Sequence, residues 1–134
     1  MNEANSQDRR KYIRAKLHVE VLCFKTPADR QRGAGVLSFY SRDLSAGGVF
    51  LETALPLDVG TQIYLKFNLP HTKKIITTQA RVINTKGKVV RVKEKNAEEG
   101  DTPGMGVEFE HLGFEDQQLI DSFVHEIAQD EEPA

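Results

Sequence analysis

The chain has 134 residues, 39% of them hydrophobic and 28% charged, with a formal net charge of −2 and one cysteine. That is room for one domain with one core and excludes an internal disulfide. No run approaches the ~18 apolar residues of a membrane span, and Met1 to Asp8 lacks the basic-then-apolar order of a signal peptide, so a cytoplasmic protein is expected.

Residues 1–8 are polar and apolar-poor, and a disordered tail is expected there. Residues 9–16 hold Arg9, Arg10, Lys11, Arg14 and Lys16 with no acidic residue among them. A local cationic segment on a chain of negative net charge suits a small, specific anion better than a long polyanion. From Leu17 to Phe24 the residues alternate, Leu17, Val19, Val21 and Cys23 against His18, Glu20, Leu22 and Phe24, which predicts the first strand. Within it Cys23 reads as a small buried hydrophobe.

Thr26 to Gly35 has loop composition, and Val36 to Arg42 resumes an extended pattern. Asp43 to Gly48 then forms a tight junction with a β-branched and aromatic run, Val49 to Thr53. Leu57 to Gly60 supplies a turn, after which Ile63, Leu65, Phe67 and Leu69 share one strand face. Residues 75–84 predict a further strand, Thr85-Lys86-Gly87-Lys88 a hairpin turn, and Val89 to Val92 the strand that follows. Residues 96–103 are charged and apolar-poor, hence a loop, and Met105, Val107 and Phe109 mark the last strand. The period then switches to about 3.6. Leu119, Ile120, Phe123, Val124 and Ile127 form one helical stripe, Glu115 and Asp116 favour its first turn, and Gly113 is the N-cap candidate. Residues 129–134 form an acidic tail. Short antiparallel strands followed by one helix predict a mainly β protein, a small barrel with a C-terminal α-helix packed against an opening.

Other chemistry finds no support in the residues. His18, His71, His111 and His125 show no metal-ligand spacing, one cysteine allows no CxxC, and no phosphate-binding glycine loop or Ser-His-Asp order stands out. No metal, cofactor or catalytic residue is expected.

Two polar motifs remain, RxxxR at Arg10 and Arg14 and DxSxxG at Asp43, Ser45 and Gly48. Alone, the first is a solvated basic stretch and the second an ordinary turn. In this order, with Gly104-Met105-Gly106-Val107-Glu108-Phe109 and an amphipathic helix behind them, they resemble the PilZ domain, the bacterial receptor module for cyclic di-GMP, over residues 9–128. The resemblance implies a split-barrel-like antiparallel fold and a non-enzymatic receptor in which residues 9–16 are a ligand-binding arm. Arg10 and Arg14 would serve guanine and phosphodiester, because a guanidinium matches the O6 and N7 acceptors of guanine with parallel donors. Asp43 would accept from guanine N1–H and N2–H, Ser45 would hold the junction or reach the ligand, and Gly48 would let the ligand approach the backbone.

Arg9 extends the motif to RRxxxR and so resembles members that bind an intercalated pair of ligands. The arm is expected to be loose when free and to fold across the ligand, signalling to a downstream protein in motility, biofilm or exopolysaccharide control. Two alternatives stand beside this reading. One is a degenerate interaction module that binds no ligand. The other is a small-barrel nucleic-acid binder, which the lack of Trp and the negative charge disfavour.

Overall fold

A period of two governs most of the chain. In β5 (Gln62–Leu69) Ile63, Leu65, Phe67 and Leu69 are buried while Gln62, Lys66 and Asn68 are exposed, as one face of a strand turned to a core requires. The computed structural model describes residues 12–32, 35–70, 81–94 and 102–131. The other strands are β1 (Arg14–Lys16), β2 (Glu20–Phe24), β3 (Leu37–Ser45), β4 (Gly48–Glu52), β6 (Arg81–Lys93) and β7 (Gly104–Glu110), with helices α1 (Pro27–Arg32) and α2 (Phe114–Glu131). Every pairing is antiparallel. The order β1-β3-β2-β5-β6-β7-β4, with a further β3–β4 pairing, closes six strands into a barrel and leaves β1 appended to β3. Closure removes the unpaired edges that an open sheet of these strands would expose.

The core fills the barrel, with Val21, Leu44, Leu51, Ile63, Leu65 and Ile83 at 0–1% exposure. Helix α2 packs on β1 and β3 and adds Ile120, Phe123 and Val124 to the same cluster, with Leu119 and Ile127 at its margin. Full burial of each such side chain contributes about 1.5–3 kcal/mol. The helix begins as its sequence predicts. The Gly113 carbonyl accepts from Gln117 N at 2.8 Å, and Glu115 and Asp116 occupy the first turn.

Four expectations need correction. Residues 27–32 form a helix, not loop: Thr26 Oγ1 accepts from Asp29 N at 3.0 Å and Pro27 takes the first helical position, a start signal held in two residues. The first strand is shorter than expected, Glu20–Phe24, and a separate β1 precedes it. β1 pairs Arg14–Lys16 with β3, so that part of the arm belongs to the sheet. The link between β1 and β2 is stitched by Ser41, wholly buried, whose Oγ donates to the Leu17 carbonyl and accepts from Val19 N at 3.0 Å.

Thr85 to Lys88 makes no turn either, because β6 runs unbroken to Lys93. Gly87 is there for room: a Cβ would come within 2.6 Å of Val107 Cγ1 and 2.8 Å of Leu65 Cδ1, so the strand packs where a side chain could not fit. Finally, the tight junction is narrower than expected, since Asp43 and Ser45 lie in β3 and Gly48 opens β4. The strand expected from residue 75 lies outside the described residues up to residue 80, as do residues 1–11, most of the 96–103 loop and the end of the acidic tail.

Candidate ligand-binding site

The site is built from rungs that cross the barrel wall. Arg14 on β1 lies opposite Ser45, Ser45 opposite Gly48, and Gly48 opposite Glu108. Two residues along, Lys16 faces Asp43, Asp43 faces Phe50, Phe50 faces Gly106, and Gly106 faces Arg91. The rung between them, Ala15, Leu44, Val49, Val107 and Val89, is buried in the core. Alternation therefore turns the two polar rungs outward together.

Two bulges sharpen this arrangement. The β3–β4 register shifts between Ser41 and Asp43, and the β6–β7 register shifts between Val89 and Arg91. An extra residue lets two successive side chains face the same way. Ser41 is buried while Arg42 and Asp43 both reach solvent, and Val89 is buried while Val90 and Arg91 both do. The result is a pair of arginines converging on Phe50, with the Arg42 guanidinium carbon 3.9 Å and that of Arg91 5.7 Å from its ring centre. Phe50 lies outside the core cluster yet is 2% exposed. Cation–π attraction and the arginine stems account for that burial.

Asp43 takes a guanidinium on each side. Arg42 Nε donates to Oδ2 at 3.2 Å and Arg14 Nη1 lies 3.8 Å from Oδ1. Ser45 is 8% exposed, and its Oγ accepts from Gly47 N at 3.1 Å and donates toward the Gly48 carbonyl at 3.5 Å, so the hydroxyl is engaged in holding the turn. A Cβ on Gly48 would lie 2.3 Å from the Val107 carbonyl oxygen. Packing of β4 on β7 demands that glycine whether or not a ligand approaches.

Arg14, Asp43, Ser45 and Gly48 line one cavity of about 520 Å3 together with Phe50, Arg91, Tyr12 and Gln117 of α2, and Arg42 bears on it through Asp43 and Phe50. The structure thus brings together four of the six residues singled out in the sequence; Arg9 and Arg10 lie outside the described residues. Sequence reasoning missed Arg42, Phe50, Arg91, Tyr12 and Gln117. Only the bulges left a trace, in the broken alternation at Ser41-Arg42-Asp43 and Val89-Val90-Arg91. Among the described residues no group of His, Cys, Asp and Glu could hold a metal ion, and no helix is long and apolar enough to cross a membrane. Cys23 is fully buried in β2, and burial pushes its thiol up to about 12.

A family model described as PilZ domain matches residues 8–126. Among solved structures the chain is similar to the Bacillus subtilis inhibitor of motility MotI/DgrA, with a TM-score of 0.73 at 21% identity over 93% of this chain and 54% of that one. It is also similar to the PilZ domain of Escherichia coli YcgR with c-di-GMP, with a TM-score of 0.61 at 18% identity over 91% of this chain and 93% of that one. A longer YcgR chain in complex with c-di-GMP gives a TM-score of 0.64 at 18% identity, over 91% of this chain and 47% of that one. The chain spans about half the length of MotI/DgrA and of the longer YcgR. No curated protein matches it. At these identities the likeness is one of fold, the closed six-strand barrel with its C-terminal helix.

Proposed function

The chain belongs to the PilZ domain family, and from that premise we propose that it is a cyclic di-GMP receptor whose site is the cavity on the outer wall of β1, β3, β4 and β7. The observation that carries the reading is the meeting of the two motifs. Their strands are hydrogen-bonded neighbours, and the Arg14 guanidinium reaches diagonally to 3.8 Å from the Asp43 carboxylate on one cavity wall. A guanine bound there finds a carboxylate for its N1–H and N2–H and a guanidinium for its O6 and N7 or for a phosphodiester, so base and charge are read together. Arg10 supplies a second guanidinium in this reading, and Ser45 and Gly48 keep the turn in shape beneath the ligand.

Calorimetry of the parent with cyclic di-GMP, cyclic di-AMP and a random oligonucleotide at physiological salt tests it. Binding of the guanine ligand alone is expected. No binding, or equal binding of the adenine ligand, overturns it. Arg9 is proposed to set the number of ligands. Two doubly charged molecules stacked together repel, and a fixed cation that covers an exposed guanine face offsets that repulsion. About two ligands per chain are expected for the parent and about one for Arg9→Leu.

Ligand-induced ordering is assigned to the residues before Tyr12, where amide exchange should slow on binding while β3 and β4 change little. A partner protein would read the newly ordered surface. We place the protein in the cytoplasm, acting through motility, biofilm or exopolysaccharide control.

A further inference from the structure

Between the two arginines of RxxxR stands Tyr12, a residue that neither motif requires. It stands two positions before Arg14, at a bend that leads into β1, and lines the same cavity as that residue. Its ring lies where the side chain of residue 47 would be: a Cβ on Gly47 would come within 2.8 Å of Tyr12 Cδ2 and 3.2 Å of Cε2. Gly35 and Gly60 take positive φ and Gly47 does not, so glycine at 47 provides space, not a special backbone conformation. The Tyr12 hydroxyl accepts from Gln117 Nε2 at 2.8 Å, in the first turn of α2. All three residues line the cavity.

We infer that Tyr12 is a positioning residue for the ligand: its ring in the Gly47 notch and its hydroxyl on Gln117 fix where the chain entering β1 crosses the DxSxxG turn, and so where Arg14 meets the cavity. The inference rests on the cyclic di-GMP reading and adds a residue to it. Ordinary packing of a half-buried tyrosine would show in stability alone. Positioning shows in affinity, at temperatures where every variant is folded.

Calorimetric affinity for cyclic di-GMP and thermal melting are measured for Tyr12→Ala, Tyr12→Phe, Gly47→Ala, Gln117→Leu and the double variant Tyr12→Ala/Gly47→Ala. Tyr12→Ala and Gly47→Ala are each expected to weaken binding about tenfold, the scale of energies between residues in contact. Tyr12→Phe and Gln117→Leu should each lose about threefold, the scale of one hydrogen bond. In the double variant the second substitution should add less than about twofold, because the ring that Gly47 accommodates is already gone.

Affinities within twofold of a binding parent for Tyr12→Ala and Gly47→Ala, whatever their melting temperatures, overturn the inference and leave the receptor reading standing. Losses that multiply in the double variant also overturn it, since the space at Gly47 then serves the ligand directly. If Tyr12→Ala does not fold, Gln117→Leu and Tyr12→Phe decide, and parental affinity in both overturns it. A parent that binds no cyclic di-GMP takes both readings down.

Discussion

The two walls of the cavity are held by different means. The β3–β4 wall is locked in a continuous sheet: Asp43 and Ser45 pair with Phe50 and Gly48, β4 pairs onward with β7, and the Val107 carbonyl closes over Gly48. The β1 wall is three residues long, paired with β3, with only Ala15 buried between exposed Arg14 and Lys16. Backbone fixes the first wall; on the second, side chains from Tyr12 and α2 share the task. The difference separates two requirements of recognition, because a base edge is read by groups that do not move and a charge is met by groups that follow it.

The largest expected effect breaks the rigid wall. Gly48→Val forces a side chain against a carbonyl that belongs to the barrel, and a loss of about 3 kcal/mol is expected in urea unfolding, the upper end of ordinary overpacking. Unchanged stability would mean that β4 can shift and that the wall is not fixed.

Arg14→Ala tests the other wall. Cyclic di-GMP affinity should fall about ten- to a hundredfold, or about 1–3 kcal/mol. Its pair with Asp43, long at 3.8 Å and open to solvent on the Arg14 side, should contribute less than about 1 kcal/mol to stability. A fall in stability as large as that of Gly48→Val would erase the distinction between the walls.

Cys23 separates the two kinds of damage and carries its own pH signature. Its thiol, ordinarily near 9.0, is raised to about 12 in the fold by burial. The unfolded thiol ionises first, so above pH 9 the unfolded state binds fewer protons. This contribution to stability is complete below pH 9 and is lost toward pH 12, at up to about 1.4 kcal/mol per pH unit. Cys23→Ala should remove that slope from stability measured between pH 9 and 11. At pH 8 a thiol reagent should leave the parent and Arg14→Ala unmodified and react faster with Gly48→Val, whose barrel opens more often.

The elements that the sequence announces are those whose signal is local. Ile63 to Leu69 alternates over a full strand, and Leu119 to Ile127 completes its stripe within one helix. Asp43, Ser45 and Gly48 are legible through the resemblance of their spacing to the DxSxxG motif, a spacing that one tight turn holds within six residues. Thr26-Pro27 did announce a helix, but six residues are too few for a helical period to show against loop composition. Gly87 between two lysines looks like a turn because the demand for glycine comes from Val107 and Leu65, on the strands either side of it, and that contact depends on sheet register and not on the residues flanking it. Tyr12 meeting Gln117, and Arg42 meeting Phe50 and Arg91, depend on how the chain crosses itself, and no spacing along the chain encodes that.

The β4–β7 pairing joins Gly48 to Glu108 and Phe50 to Gly106, residues from distant parts of the chain. An unfolded or half-folded chain therefore carries fragments of the cavity and no cavity. A ligand of that cavity has nothing to hold in the unfolded state, so its whole binding free energy is linked to folding: at a hundred times Kd it should raise stability by about 2.7 kcal/mol. The melting temperature then becomes a gauge of free ligand concentration, and the same linkage would shield ligand-bound chains from proteases that cut the opened state.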